Sequence, residues 1–219
     1  MVVPERLDTR QNLLEAAREV FVEHGYHKAG VREIARRADA NVAAVNYHFG
    51  SKAELYRQVL TTVFESIPAS LAMPRLADDP ENPEALVARF VRWHAERVLG
   101  RRAGDFTRLF LREMQEPSPV FATFIDLSIR PIFNTLTEIV AAILEIEPFA
   151  VEARQAAVSI VGQYVIYKHN EAMLPQFFPE VGFDDDEVAA LAERIAAFSI
   201  GGLRELKARI HGEGGGEAR

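Results

Sequence analysis

The sequence predicts an all-α protein: an N-terminal helix-turn-helix head of three helices, followed by a C-terminal helical domain. Three observations predict it. Apolar residues recur at i, i+3, i+4, i+7 through most of the chain, and no segment shows the two-residue alternation of a half-buried strand. Two such periods stand back to back in residues 30–49, Val31/Ile34/Ala35/Ala38 and Val42/Val45/Phe49. The break between them, Asp39 to Asn41, leaves room only for a tight corner. Residues 68–84 hold four prolines (Pro68, Pro74, Pro80, Pro83) and the pair Asp78-Asp79, which is the composition of a connector.

Residues 1–7 read as a loose arm. Asp8 with Gln11 has the pattern of a capping box, and Leu13, Leu14, Ala17, Val20 and Phe21 then form a helical stripe that ends near Gly25. In the corner, Asp39 takes the left-handed conformation that usually calls for glycine, and Asn41 caps the next helix, Val42–His48. Gly50 closes that helix. Ser51 and Glu54 form a second capping box, opening a fourth helix with Leu55, Val59, Val63 and Phe64 on one side. Beyond the connector, the periodicity predicts helices at about 84–99, 104–115, 118–146, 150–173 and 185–209. Pro131 should kink or split the longest. The division expected is a head with its linking helix at 1–66, a helical effector-binding and dimerisation domain at 67–211, and a flexible tail at 212–219, GEGGGEAR.

Composition excludes several functions. With 219 residues, 48 % of them hydrophobic, the chain can bury a substantial core. Its net charge is −7, yet residues 1–60 carry +1 and residues 61–219 carry −8. A near-neutral head binds nucleic acid only if its cations share a face. The absence of cysteine excludes disulfides, thiolate metal sites and thiol redox sensing. No N-terminal signal core is present and no run approaches about 18 apolar residues, so a cytoplasmic location without membrane contact is expected. No HExxH, phosphate-binding glycine loop or Cys-His spacing occurs, and the run Asp184-Asp185-Asp186-Glu187 reads as helix-capping acids, not metal ligands. No cofactor, metal or catalytic group is therefore expected.

Residues 9–56 resemble the TetR family of bacterial transcriptional regulators. The matching residues are Thr9-Arg10, Ala16-Ala17, Phe21, Gly25-Tyr26, Val31, Ile34-Ala35, Ala38, His48-Phe49, Ser51-Lys52 and Leu55-Tyr56. Asn46 to Lys52, Arg108-Leu-Phe-Leu-Arg-Glu113 and Ser159-Ile-Val-Gly-Gln163 further resemble the subgroup with a CecR-type C-terminal domain. The sequence departs from the family at Ala29 and Gly30, where a hydroxyl pair usually caps the second helix and touches a phosphate. It departs again at Asp39 in place of glycine and at Asn46 in place of tyrosine. The resemblance implies a homodimer, paired through its last two long helices, that places two recognition helices in successive major grooves of a palindromic operator. Candidate DNA contacts are Lys28, Gly30, Arg32, Asn41, Val42, Ala43, Asn46, Tyr47, His48 and Lys52. Tyr47, His48 and Lys52 match phosphate-contacting positions, and Asn46 can bond adenine in a bidentate way. Val42 either meets a thymine methyl or packs inward; Arg32 and Arg36 either meet the DNA backbone or are solvated, and Arg37 reads as a solvated helix charge.

The resemblance also implies a ligand cavity among the C-terminal helices, whose aromatic residues are mostly core. Polar groups on otherwise apolar faces would orient the ligand, and the candidates are His94, Arg97, Arg108, Arg112, Gln163 and Tyr164, with His169 beside them; Phe110 and Tyr167 complete the expected ligand-binding set. Gln163 is conspicuous between Val161 and Val165, where a buried amide needs a partner: a ligand, a neighbouring helix or a second subunit. Repression relieved by a small molecule is the function expected. A protein-binding adaptor that has lost DNA affinity, and an all-α enzyme with a helix-turn-helix appendage, are the alternatives.

Overall fold

The computed structural model describes residues 4–65, 73–100 and 104–213. About 80 % of the described residues are helical, and no strand occurs among them. The elements in order are α1 (Pro4–Lys28), α2 (Val31–Arg37), α3 (Val42–Phe49), α4 (Lys52–Glu65), a 3₁₀ turn (Leu76–Asp78), α5 (Pro83–Leu99), α6 (Asp105–Gln115), α7 (Phe121–Phe124), a π turn (Ile125–Ile129), α8 (Arg130–Leu144), α9 (Val151–His169), α10 (Leu174–Phe177) and α11 (Asp185–Glu213).

Two compact units share these elements. The first joins α1–α4 to α6, α7 and the π turn. Its core is Leu13, Ala17, Phe21, Ile34, Val45, Leu55 and Tyr56, and it also takes in Leu109 of α6 and Phe124 of α7. The second joins α5 to α8–α11 around Leu86, Phe90, Leu136, Ile139, Ala157, Tyr164, Val188 and Ile195. Residues 104–129, which the expected division places in the C-terminal domain, group with the head in the first unit.

Most local expectations hold, with identifiable exceptions. α1 begins at Pro4, a residue suited to a first helical turn, so Asp8 lies within the helix and not at its N-cap position. The chain leaves helical geometry at Gly25 (φ 72°), where a Cβ would lie 3.4 Å from the Arg112 side chain. This kink frees the carbonyls of the preceding turn, and Arg112 caps two of them: Nε donates to Val22 O (3.2 Å) and Nη2 to Glu23 O (2.6 Å). Asp39 is left-handed at φ 49°, and the Ala40 N–H returns to Ala35 O at 2.9 Å, closing α2 in a Schellman turn. Asn41 Oδ1 accepts from Ala44 N at 2.8 Å, as a cap should. Only half of the Ser51 box forms: Ser51 Oγ accepts from Glu54 N, while the Glu54 carboxylate turns to Arg57 and Gln58 and is held down at about 2.

The segment expected at 118–146 is divided, as Pro131 requires. The π turn lies just ahead of Pro131, whose missing N–H removes a bond that a continuous α-helix would need. Residues 121–144 are nevertheless long and apolar enough to cross a membrane by length and composition, contrary to the count made from sequence; half of the stretch is buried in protein. α9 ends at His169, four residues early, and α11 continues through Gly212 to Glu213 where a tail is expected. Residues 1–3 of the expected arm and 214–219 of the tail lie outside the described residues. Asp184 and Glu187 do form a reciprocal capping box at the start of α11 (2.9 and 3.1 Å), which accounts for the acidic run.

Candidate nucleic-acid interface

α3 is an eight-residue helix with two unlike faces. Val45 and Phe49 are buried and fasten it to the core of the first unit, which leaves Val42, Ala43, Asn46 and Tyr47 exposed on the other side. Val42 is 40 % exposed and Tyr47 69 % exposed, so the inward-packing alternative for Val42 does not apply. Large apolar side chains held in water by a well-anchored helix mark an interaction surface. His48 is half-buried, with its ring edge-on to Tyr47 at 5.0 Å.

The cations around α3 differ in availability. Arg37 bonds Glu23 on α1 and Glu33 on its own helix at 2.7–3.0 Å, which pushes its pKa up; it is paired within the head and not simply solvated as expected. Arg32 and Arg36 are exposed and have no ion pair among the described residues. Lys28 is exposed at the end of α1, and Gly30 opens α2 with no side-chain cap. Lys52 is engaged: its ammonium sits 4.5 Å over the Tyr26 ring and 3.4 Å from His27 O, where burial lowers its pKa. Arg10, which sequence reasoning used only for the resemblance, stacks on Phe49 at 5.2 Å and bonds Gln58, adding a cation beside the end of α3. Spacing could not show this, since Arg10 and Phe49 are far apart in the chain.

The eight ligand candidates are divided between the two units. Arg108, Phe110 and Arg112 belong to the first unit: Arg108 is exposed, Phe110 packs on Phe124 at 6.1 Å, and Arg112 caps α1. His94, Arg97, Gln163, Tyr164 and Tyr167 belong to the second. There His94 Nδ1 lies 2.6 Å from the Tyr164 hydroxyl, both side chains are buried, and the Arg97 guanidinium stacks on Trp93 at 5.0 Å. Burial first, then the nearby Arg97 charge, lowers the His94 pKa to about 3, and burial raises that of Tyr164. Gln163 Nε2 donates to Ser199 Oγ of α11 at 2.9 Å, the neighbouring-helix alternative. Tyr167 packs half-buried against the core, and His169 is exposed. A cavity of about 210 Å³ lies in the first unit, and none of these residues lines it.

With this geometry in hand, the chain can be set beside known proteins. The family model for bacterial regulatory proteins of the tetR family matches residues 13–59. That for the C-terminal domain of the HTH-type transcriptional dual regulator CecR matches residues 83–203, more than half of the chain. Among curated relatives, the HTH-type transcriptional activator FasR of Mycolicibacterium smegmatis is 39 % identical over 39 % of this chain and 40 % of its own. The dual regulator CecR of Shigella flexneri is 28 % identical over 61 % of this chain and 63 % of its own. The repressor NicS of Pseudomonas putida is 34 % identical over 38 % of each. The matches therefore span less than two thirds of these relatives. Among solved structures, the hemolysin II regulator HlyIIR superposes with a TM-score of 0.59 at 20 % identity, covering 84 % of this chain and 97 % of that one. A TetR-like regulator from Rhodococcus sp. RHA1 gives 0.60 at 20 %, covering 89 % and 96 %. At such identities the structures speak for the fold alone. The family consists of transcriptional regulators and not of enzymes, and the helix-turn-helix head and the two matched regions together show that this chain belongs to the TetR family, with a C-terminal domain of the CecR type.

Proposed function

We propose that this protein is a homodimeric, operator-binding transcriptional regulator of the bacterial cytoplasm, controlled by a small molecule. One observation carries the DNA-binding part: Val42, Ala43, Asn46 and Tyr47 stand exposed on a helix whose opposite face is fixed in the core. In this reading Val42 and Ala43 approach base methyls and Asn46 reads an adenine edge. Tyr47, His48, Lys28, Arg32 and the start of α2 at Gly30 meet phosphates. Lys52 joins them by leaving Tyr26. Asn41 acts through the cap it provides.

The dimer is supported by α9 and α11. Val151, Val158 and Ile166 are exposed along α9, and Phe198 on α11 is 75 % exposed. Gly201 and Gly202 follow Phe198 within the helix, with open space where their Cβ atoms would be. Glycine inside a helix costs about 1 kcal/mol relative to alanine, a cost that close approach of a second helix offsets. Two heads one helical turn apart then match a palindromic site. The relatives are named activator, dual regulator and repressor; repression relieved by ligand is the working form of the proposal. It requires the ligand to favour the non-binding state by the coupling free energy.

The test is binding to duplex DNA from upstream of the protein's own coding region, titrated across salt, with genome-wide selection of fragments as the second arm. Asn46→Ala and Tyr47→Ala should each weaken specific binding without loss of fold. For Asn46, a lost base contact of about 1–3 kcal/mol corresponds to fivefold or more in Kd. Failure of every fragment to bind above background would replace the regulator with the adaptor reading.

A further inference from the structure

Arg10 is a cation to which the regulator reading above gives no role. It lies exposed on the early part of α1, and its guanidinium is held from two sides. Its Cζ stands 5.2 Å over the centre of the Phe49 ring at the end of α3, and Nη2 donates to Gln58 Oε1 of α4 at 2.5 Å. Three helices meet at this one side chain, which fixes its place beside α3. Gln58 takes one N–H of the guanidinium and leaves the others of its fork.

The charge on Arg10 is not neutralised. Arg18, Arg37 and Arg57 of the same unit each hold a carboxylate. Arg10 has none among the described residues, its partner being the neutral amide of Gln58. The acid in that run of bonds is Glu54, which accepts from Gln58 Nε2 at 3.0 Å and from Arg57 through both carboxylate oxygens at 2.5 and 2.8 Å. Arg57 and Glu54 cancel, so the four side chains keep one net positive charge and it resides on Arg10. Covering Phe49 needs only hydrocarbon, and nothing in that packing calls for an ion.

The position of Arg10 gives the charge a use. Val42 and Phe49 stand seven positions apart, so they project within about 20° of one another round α3. Tyr47 projects about 140° from Val42. The exposed face of α3 runs between these limits through Asn46 and Ala43. Arg10, stacked on Phe49, borders that face on the Val42 side, while Tyr47 and the half-buried His48 border it on the other. A helix in the major groove has a phosphate backbone along each side, and Tyr47 stands toward one of them. We propose that Arg10 binds a phosphate of the opposite strand, so that each α3 is clamped from both walls of the groove. The proposal rests on the reading of α3 as the DNA-binding helix.

The test uses the full-length protein and a duplex selected from genomic fragments, titrated across salt. Arg10→Met keeps hydrocarbon over Phe49 and removes the charge, whereas Arg10→Lys keeps both. Arg10→Met should weaken binding about fivefold on the selected duplex and on unrelated duplex alike. It should also flatten the slope of log K against log salt by about 0.9 for each head bound, and Arg10→Lys should restore that slope. Arg10→Gln, also neutral, serves if thermal circular dichroism shows that Arg10→Met does not fold. Methylphosphonate replacement of single phosphates then locates the contact. One neutral phosphate should weaken the wild type and leave Arg10→Met unaffected, and it should lie on the strand other than the one that Tyr47→Ala picks out. An unchanged salt slope in the folded neutral variant, Arg10→Lys no better than Arg10→Met, or both phosphates on one strand would overturn the proposal, while specific wild-type binding keeps the regulator reading. If the wild type binds no duplex, the regulator reading fails first and this proposal falls with it.

Discussion

Acidification should destabilise the second unit through one residue, His94. Its side chain on α5 is 9 % exposed, packs between Phe90 (5.9 Å) and Trp93 (5.5 Å), and faces the Tyr164 hydroxyl at 2.6 Å. Burial, aided by Arg97, lowers its pKa from 6.5 to about 3. The folded state therefore keeps His94 neutral while the unfolded chain takes up a proton near pH 6.5. Because the unfolded state binds more protons between those values, stability is full above pH 6.5 and is lost as pH falls toward 3. Each pH unit is worth about 1.4 kcal/mol, so a drop to pH 5 removes about 2 kcal/mol and the whole window about 5. That is a large share of the roughly 5–15 kcal/mol that holds a domain folded. Trp93 is the single tryptophan and stacks against His94, so its fluorescence reports this region. Urea unfolding at pH 7.5, 6.5, 5.5 and 5.0 should show the midpoint falling for the wild type. His94→Gln should start less stable at pH 7.5 but run flatter. Equal slopes for the two proteins, or an NMR titration that puts His94 near 6.5, would refute the reasoning.

Three further outcomes follow from the same kind of geometry. Tyr56→Phe leaves the buried Glu113 carboxylate with only the Ser118 donors. The cost should be about 2 kcal/mol, or a Tm lower by about 4–8 °C in thermal circular dichroism; a shift under 1 °C would show that Ser118 suffices. Asp39→Val, at φ 49°, should cost about 1–2 kcal/mol in chemical denaturation, whereas Asp39→Gly should be neutral or stabilising. Phe198→Glu should keep full helicity, since the side chain is exposed, and should yield monomers in sedimentation velocity; a dimer that persists would move the interface elsewhere.

The head was legible in the sequence because its instructions are local. The Asp39 corner, the Asn41 cap and the Val45/Phe49 anchor each depend on residues within one turn of one another, and period, cap and left-handed turn all act over that range. The exposed face of α3 followed as the complement of the anchored one. The C-terminal candidates were less legible. A polar residue on an apolar face announces that it needs a partner, not which one. Gln163 found Ser199, His94 found Tyr164, and Arg112 found the carbonyls freed by a kink ninety residues earlier.

By itself, then, the sequence determined the helical content, the order of the helices, the family and the residues of α3. Only the tertiary structure decided that residues 104–129 join the head, that Glu113 is tied to Tyr56 across 57 positions, and that a cavity opens against α4. The physical reason is range. Helix signals are summed over neighbours a few residues apart, whereas a core assigns its members by volume and its buried polar groups by whichever donor the packing brings within about 3 Å.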